Sequence, residues 1–600
     1  MGKFRTDCRA CWIPILIGVA ATPSCDRSPV GGGAPPVAVE IPASPAPSPP
    51  PLPSFSEGTA GSGIEFTQVN GMSGERYFVE PVGPGGALLD FDGDGDLDLY
   101  LVQGTTLGGV PWERCVFPPP LGAPRGDRLF RNLHRETGSL RFEDVTEAAG
   151  IVEDEYGMGA TVGDVEGDGD PDLYVTNFGP DRLWVNEGGR FTDGTARAGL
   201  GDPRWTTSAA FFDPDRDGDL DLFVAAYVDF TLENHKPCYS ETSAVDYCGP
   251  SSYRPLPHRF YRNRGDGTFV DESAESRIGS RPGAGLGVVV SDFDRDGWID
   301  IYVANDGMPN RLWRNLGDGT FEDTALLAGC AYNRDGRAEA SMGVEAADFD
   351  EDGDDDIFLT HLTDETNTFY RNDGHGAFED ATAASGLGVP SRPFTGFGTA
   401  AIDLEPDGDL DLFVANGAVK TIASLAAAGD PYPLHQRNQL FRNLGDGRFA
   451  EVAPAEEPVL ALSEVSRGVC SGDLDDDGAV DLVIVNNSGP ARLHRGRTPF
   501  AGAWIGLDVR GANGRSPAIG AELLLRTADG RALHRRVRIA SSYLSANDPR
   551  VVIGLGAAAG SPSTAEIRLP GGEWERFAEL SPGRYHILLL GEGAPREGGR

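Results

Sequence analysis

The sequence predicts an all-β chain built mainly from one repeated unit, and three features carry that prediction. Glycine accounts for 81 of 600 residues, far more than helix-rich folds tolerate. Short β-branched and aromatic runs alternate with Gly- and Asp-rich turns along most of the chain. One nine-residue acidic pattern occurs seven times, each time leading into such an apolar run. The apolar fraction of 40% is enough for real cores. Charge is strongly one-sided, with 51 Lys and Arg against 92 Asp and Glu and a net charge of −41. Such a surface repels nucleic acid and anionic membranes, so neither is an expected partner.

Residues 1–24 read as an export signal. Lys3, Arg5 and Arg9 precede an apolar stretch from Trp12 to Ala21, too short to span a bilayer. Cys25, within Thr22-Pro23-Ser24-Cys25-Asp26, resembles a bacterial lipoprotein cleavage site, although Thr22 stands where Leu is usual. Lipid attachment at Cys25 and ordinary signal cleavage nearby are both open. Residues 25–58 are rich in Pro, Ala and Ser and are expected as a semi-extended linker. The chain is thus expected to be secreted or held at the cell surface, touching a membrane only through such an anchor.

The repeated pattern is D-x-[DE]-x-D-G-x-x-D. Its first position is Asp90, Asp164, Asp213, Asp292, Asp348, Asp403 and Asp473. Its third is Asp92, Glu166, Asp215, Asp294, Asp350, Glu405 and Asp475, and its fifth is Asp94, Asp168, Asp217, Asp296, Asp352, Asp407 and Asp477. Asp98, Asp172, Asp221, Asp300, Asp356, Asp411 and Asp481 close it. These windows hold 36 of the 92 acidic residues, a clustering that a merely solvated surface would not show. Carboxylates at positions one, three and five of a tight loop suit Ca²⁺, which takes six to eight oxygen ligands. The glycine at position six allows the positive φ of the turn, position seven offers a carbonyl, and position nine completes the site. Mg²⁺ fits less well because it dehydrates reluctantly. About one Ca²⁺ per repeat is expected, seven in all, with Glu166 and Glu405 weakening their two sites. An EF-hand is excluded, because position twelve is apolar every time (Leu101, Val175, Val224, Val303, Leu359, Val414, Ile484) and the loop feeds a strand.

A second pattern follows each of the first six loops: an apolar pair, Asn, a Gly-rich turn and Phe, as in Leu312-Trp313-Arg314-Asn315 up to Phe321. Related segments reach Phe142, Phe191, Phe269, Phe378 and Phe449. Each unit therefore predicts four strands, and seven units predict a seven-bladed, calcium-loaded β-propeller over residues 59–498. After the seventh loop the Gly-turn-Phe element is missing. The early segment Ile64-Glu65-Phe66-Thr67 is expected to complete that last blade and remove the exposed edge.

These loops and turns look like FG-GAP/VCBS repeats, the propeller units also seen in integrin α-subunit heads. Trp504-Ile505-Gly506-Leu507, Ala518-Ile519-Gly520-Ala521, Ser541-Ser542-Tyr543-Leu544-Ser545 and Asn547-Asp548-Pro549-Arg550 together resemble the ASPIC/UnbV domain. That order of domains resembles the cartilage acidic protein family and its bacterial relatives. The resemblance implies a secreted or surface-attached binding protein and no particular reaction. Residues 499–592 read independently as a small antiparallel β-sandwich, with turns at Asp529-Gly530 and Gly571-Gly572, and residues 593–600 as a disordered tail.

Catalytic signatures are scarce. No zinc-peptidase, P-loop or Ser-nucleophile motif occurs. Gly468-Val469-Cys470-Ser471-Gly472 imitates a nucleophile elbow but leads into a calcium loop, and His361 is the most suggestive histidine. Arg125-Gly126-Asp127 and Arg264-Gly265-Asp266 are adhesion tripeptides on paper, expected to be coincidental. Cys238 and Cys248 are expected to form a local disulfide, with Cys115, Cys330 and Cys470 unassigned. Cys238 and Cys248 lie in an aromatic excursion over about 227–258, suited either to recognition or to capping one face. The expected function is a calcium-stabilised module for an extracellular or envelope protein or glycan. An enzyme with an axial site, or a structural spacer, is the alternative.

Overall fold

The computed structural model describes residues 54–118, 125–239, 243–497 and 503–596. The signal-like segment, Cys25 and most of the Pro-rich stretch lie outside the described residues. The described chain is all-β in character, consistent with a β-propeller. It contains seven four-stranded repeat sheets, the first extended by a two-stranded hairpin from the C-terminal region. The first strands are Gly86–Leu89, Gly157–Gly163, Thr206–Phe212, Gly285–Ser291, Val344–Ala347, Gly396–Ile402 and Ser466–Gly472. Each runs through an acidic loop into an antiparallel second strand, such as Asp300–Asn305 after Gly285–Ser291. Third strands end at the repeated Asn (Arg311–Asn315), and fourth strands start at the repeated Phe (Phe321–Asp323). Consecutive first strands pack on one another in chain order, and Ser466–Gly472 packs on Gly86–Leu89. Their apolar side chains interdigitate between sheets, as with Val289, Tyr302 and Leu312 against Val344, Ile357 and Tyr370.

The seventh sheet corrects one expectation. Its fourth strand is Phe55–Glu57, paired antiparallel to Arg492–Gly496 with Phe55 opposite Gly496. Ile64–Thr67 contributes only an isolated bridge between Thr67 and Pro490. The repeat region therefore begins before residue 59, inside the expected linker. Phe55-Ser56-Glu57 has the Phe-x-acid signature of the other fourth strands, which Ile64-Glu65-Phe66-Thr67 lacks.

The C-terminal region has two sheets around an apolar core of Ile505, Leu507, Leu523, Leu525, Ile553 and Ile567. It is not purely antiparallel, since Trp504–Arg510 runs parallel to Tyr585–Leu589. Nor does it end at 592, because Ala594–Pro595 pairs with Glu575 and Arg576.

One hairpin leaves this domain and enters the repeat region. Ala540–Ser541 and Ser545–Ala546 pair with each other, and Ala546 bridges Ala87 of the first sheet. The turn between them lies among the first strands. Ser542 exchanges backbone bonds with Val344 at 2.7 and 2.9 Å, and its Oγ accepts from Thr399 N–H. Leu544 O accepts from Ala160 N–H, Leu544 N–H donates to Ser208 Oγ, and the Tyr543 hydroxyl donates to Val82 O. Tyr543 and Leu544 are fully buried. Gly85 admits this approach, because a Cβ there would lie 1.7 Å from Leu544 O.

Candidate metal centre

All seven acidic loops share one construction. The position-six glycine has φ between 86° and 99° and donates its N–H to Oδ2 of the position-one Asp at 2.9–3.1 Å. Position four is also left-handed, at Gly93 and Gly167 but also at Arg216, Arg295, Glu351 and Asp476. The sequence gives no hint of this, since such residues resist positive φ. The turn holds them there through the hydrogen bonds on either side.

Position nine is a clasp. One oxygen of each accepts the N–H at the end of the third strand, at 2.7–2.9 Å, from Asn132, Asn186, Asn263, Asn315, Asn372, Asn443 or Gly496. In Asp98, Asp172, Asp300, Asp411 and Asp481 the other oxygen accepts the position-two N–H. A carboxylate oxygen has two lone pairs, so clasping and ligation are compatible.

The donor set fits a hard cation. Oxygens from Asp213, Asp215 and Asp217 lie within 4.8 Å of one another, as do those of Asp292, Asp294 and Asp296, of Asp348, Asp350 and Asp352, and of Asp90, Asp92 and Asp98. Asp90 Oδ1, Asp292 Oδ1, Asp350 Oδ1 and Asp356 Oδ2 are buried with no hydrogen-bond partner. Orphaned acceptors of this kind are costly unless a cation meets them. Burial, reinforced by neighbouring carboxylates, pushes Asp90 up to about 6 and Asp98 up to about 9. Burial pushes Asp300 and Asp481 well above the ordinary carboxylate range.

Sequence reasoning missed two partners of these loops. The residue before the repeated Asn is Arg in most units, and its guanidinium faces the loop. Arg131 bonds Asp92 and Asp94 at 2.6 and 2.7 Å, and Arg314 bonds Asp294 and Asp296. Arg262, Arg371, Arg442 and Arg495 pair with Asp215, Asp350, Glu405 and Asp475. The second sheet has Val185 instead. The Asn itself staples adjacent sheets. Asn315 Nδ2 donates to Ile299 O of its own loop and to Pro214 O of the preceding one, and Asn263, Asn372 and Asn443 repeat the pattern. The Arg-Asn pair recurs in the sequence and was the available signal.

The C-terminal domain lies on the loop side. Ser516 Oγ, Gly554 N–H and the Tyr585 hydroxyl donate to Oδ2 of Asp164, Asp403 and Asp473. Arg515, Arg535 and Arg550 donate to the loop carbonyls of Asp168, Gly408 and Asp473. Arg536 and Arg538 meet Asp355 at 3.0 and 2.8 Å. Burial alone would raise Asp355, but the two guanidiniums outweigh it and hold the carboxyl below its usual range.

The remaining candidates are locked. Cys470 is buried within a strand, and burial pushes its thiol up to about 12. Burial depresses His361 to about 3, and its Nε2 lies 3.0 Å from Ser341 Oγ. Asp127 is buried against Tyr100 and Gln103, so residues 125–127 are not a displayed tripeptide, whereas Asp266 sits in an exposed hairpin turn. A disulfide joins Cys238 and Cys248, and Cys115, Cys330 and Cys470 are buried free thiols. Most aromatics of the 227–258 excursion cap the centre of the repeat region. Tyr227 and Phe230 are buried with Phe78 and Trp205, and Tyr239 is the exposed one.

Comparison with known proteins follows the same division. FG-GAP-like repeats match residues 90–175, 164–224, 257–303, 292–359 and 348–414, and the ASPIC and UnbV family matches 511–595. The chain is an FG-GAP repeat protein with a C-terminal ASPIC/UnbV domain. It is homologous to cartilage acidic protein 1, at 29% identity to the mouse protein and 28% to the human one. Those matches cover 58% and 56% of this chain, which spans about half the length of the curated relatives it matches (51% and 48%). Among solved structures, one describing recognition of non-reducing terminal N-acetylglucosamine by an Agrocybe aegerita protein is 16% identical. It covers 60% of this chain and 82% of that one, with a TM-score of 0.33. No helix among the described residues is long and apolar enough to cross a membrane.

Proposed function

We propose that this protein is an exported, calcium-binding β-propeller that acts as a protein- or glycan-binding module rather than as an enzyme. The seven repeat sheets form one closed ring of blades, sealed by Phe55–Glu57. Each acidic loop holds one Ca²⁺ through its position-one, -three and -five carboxylates and the position-seven carbonyl, with position nine as clasp and ligand. The observation that carries this reading is the set of buried, unpartnered carboxylate oxygens at Asp90, Asp292, Asp350 and Asp356. Bound calcium supplies the partner these oxygens lack, and seven ions bring the net charge of −41 to about −27. Extracellular modules bind calcium with dissociation constants of roughly 10⁻⁴–10⁻³ M, so export suits such sites. Export rests on the basic and apolar start of the sequence.

The test is retention of matrix proteins and arrayed glycans on the immobilised chain, in calcium and in chelator. Retention that needs calcium supports the reading. Retention indifferent to calcium, or absent in both conditions, counts against it.

A further inference from the structure

The end of the repeat region opposite the calcium loops carries a pocket. First strands run toward the loops, so their starts, and the turns between second and third strands, gather at the other end. There a cavity of about 410 Å³ opens, within the size range of small-ligand sites. Tyr543, on the hairpin from the C-terminal domain, lines it together with Phe397, and their rings meet edge to face at 4.9 Å. Phe78 and Tyr253, stacked at 5.6 Å, form one wall, and Met308 and Met342 form adaptable surface on another.

Polar groups in this apolar chamber are few. Asp306 and Glu365 both line it. Asp306 accepts from the Tyr227 hydroxyl and Glu365 from Ala340 N–H, and neither forms an ion pair within 4 Å among the described residues. Lys420, on the same lining, is exposed, and its ammonium is near enough to Asp306 and Glu365 to act on both, so it offsets part of their charge. Burial pushes Asp306 up to about 6 and also raises Glu365, while the Lys420 ammonium lowers both. Arg467 lies behind Phe397, its guanidinium engaged by the carbonyls of Pro81, Gly417, Ser466 and Ala418. Thus the chamber sets two carboxylates against one ammonium, an excess of negative charge that favours a cation, while its rings supply apolar wall: the Phe397 face is covered by Arg467, and the Tyr253 ring lies against Lys236 and Phe78.

We infer that this axial pocket binds a compact organic cation, an apolar or aromatic body bearing one protonated amine directed at Asp306 and Glu365. The amine can come from a free small molecule or from the N-terminus of a peptide. The site is distinct from the calcium loops and extends the proposed function to a ligand class.

Calorimetric titration of the calcium-loaded chain tests it with four probes: 2-phenylethylamine, its neutral counterpart 2-phenylethanol, a tripeptide beginning with Phe, and its N-acetylated form. Each amine should bind at least ten times more tightly than its neutral partner, and whichever amine binds better identifies the source. Asp306→Asn should weaken the amines about tenfold and leave 2-phenylethanol unchanged. Met308→Trp, which narrows the chamber, should weaken every probe that binds. Equal affinity for charged and neutral probes would overturn the inference. So would amines that do not bind the wild-type chain at 10 mM, or binding that survives both substitutions.

Discussion

The third and seventh acidic loops have the same motif and opposite surroundings. In the third, Arg216, Asp217 and Gly218 are exposed, and a Cβ on Gly218 would meet nothing within 4 Å. In the seventh, Asp473 is 1% exposed, and a Cβ on Gly478 would lie 1.9 Å from the Trp504 ring. Asp473 Oδ2 accepts from both Gly478 N–H and the Tyr585 hydroxyl, whereas Asp213 Oδ2 accepts only from Gly218 N–H. The motif sets the turn and the second domain sets its burial. A shared motif therefore predicts a shared turn without predicting equal energetic weight.

The largest effect should come from the element that joins the two regions. Tyr543→Ala removes a buried ring and should cost about 3–5 kcal/mol. Calorimetry should show both domains melting earlier together. A C-terminal transition that moves alone would break the view of one cooperative unit. Next, Asp473→Ala should cost about 2–3 kcal/mol, because the Asp477 and Gly478 N–H groups and the Tyr585 hydroxyl lose their acceptor under the second domain, while Asp213→Ala, whose two donors are exposed, should cost about 1 kcal/mol. Denaturant titration in calcium compares them, and equal losses would contradict the burial argument. Asn315→Ala, which cuts the staple between the third and fourth sheets, should cost about 1–2 kcal/mol. Hydrogen exchange should then rise around Pro214 and Ile299 and not at the seventh loop.

The smallest effect is a pH dependence in chelator. Burial pushes Asp213 up to about 6 and Asp473 up to about 7, from 3.8. A raised carboxyl pKa in the folded state adds stability below the unfolded value and loses it as pH rises through the folded one. The calcium-free chain should therefore melt a few degrees lower at about pH 8 than at about pH 5, and added calcium should flatten the slope. Melting curves across that range decide it.

Much of this was legible in the sequence because loop chemistry is local. Carboxylate spacing, the position-six glycine and the apolar position twelve specify the turn and the strand after it. The strand that completes the seventh sheet was misplaced because Phe55-Ser56-Glu57 pairs with residues more than 430 positions away, and only its Phe-x-acid pattern marks it. The left-handed Arg216 and Glu351 were invisible because the strain is imposed by the loop and not by those side chains. The insertion of Tyr543 among the first strands was also hidden, since nothing local to Ser541–Ser545 reports what surrounds it. The arginine before the Asn in most units was visible, but its role depends on a register that only the folded sheet supplies.

Equilibrium dialysis of the whole chain against radioactive calcium tests the central claim most directly. The account predicts saturation approaching seven ions per chain, one for each loop, falling by one in Asp296→Ala, with a lower melting temperature in chelator. Saturation at one ion or fewer, with melting indifferent to chelator, would contradict it.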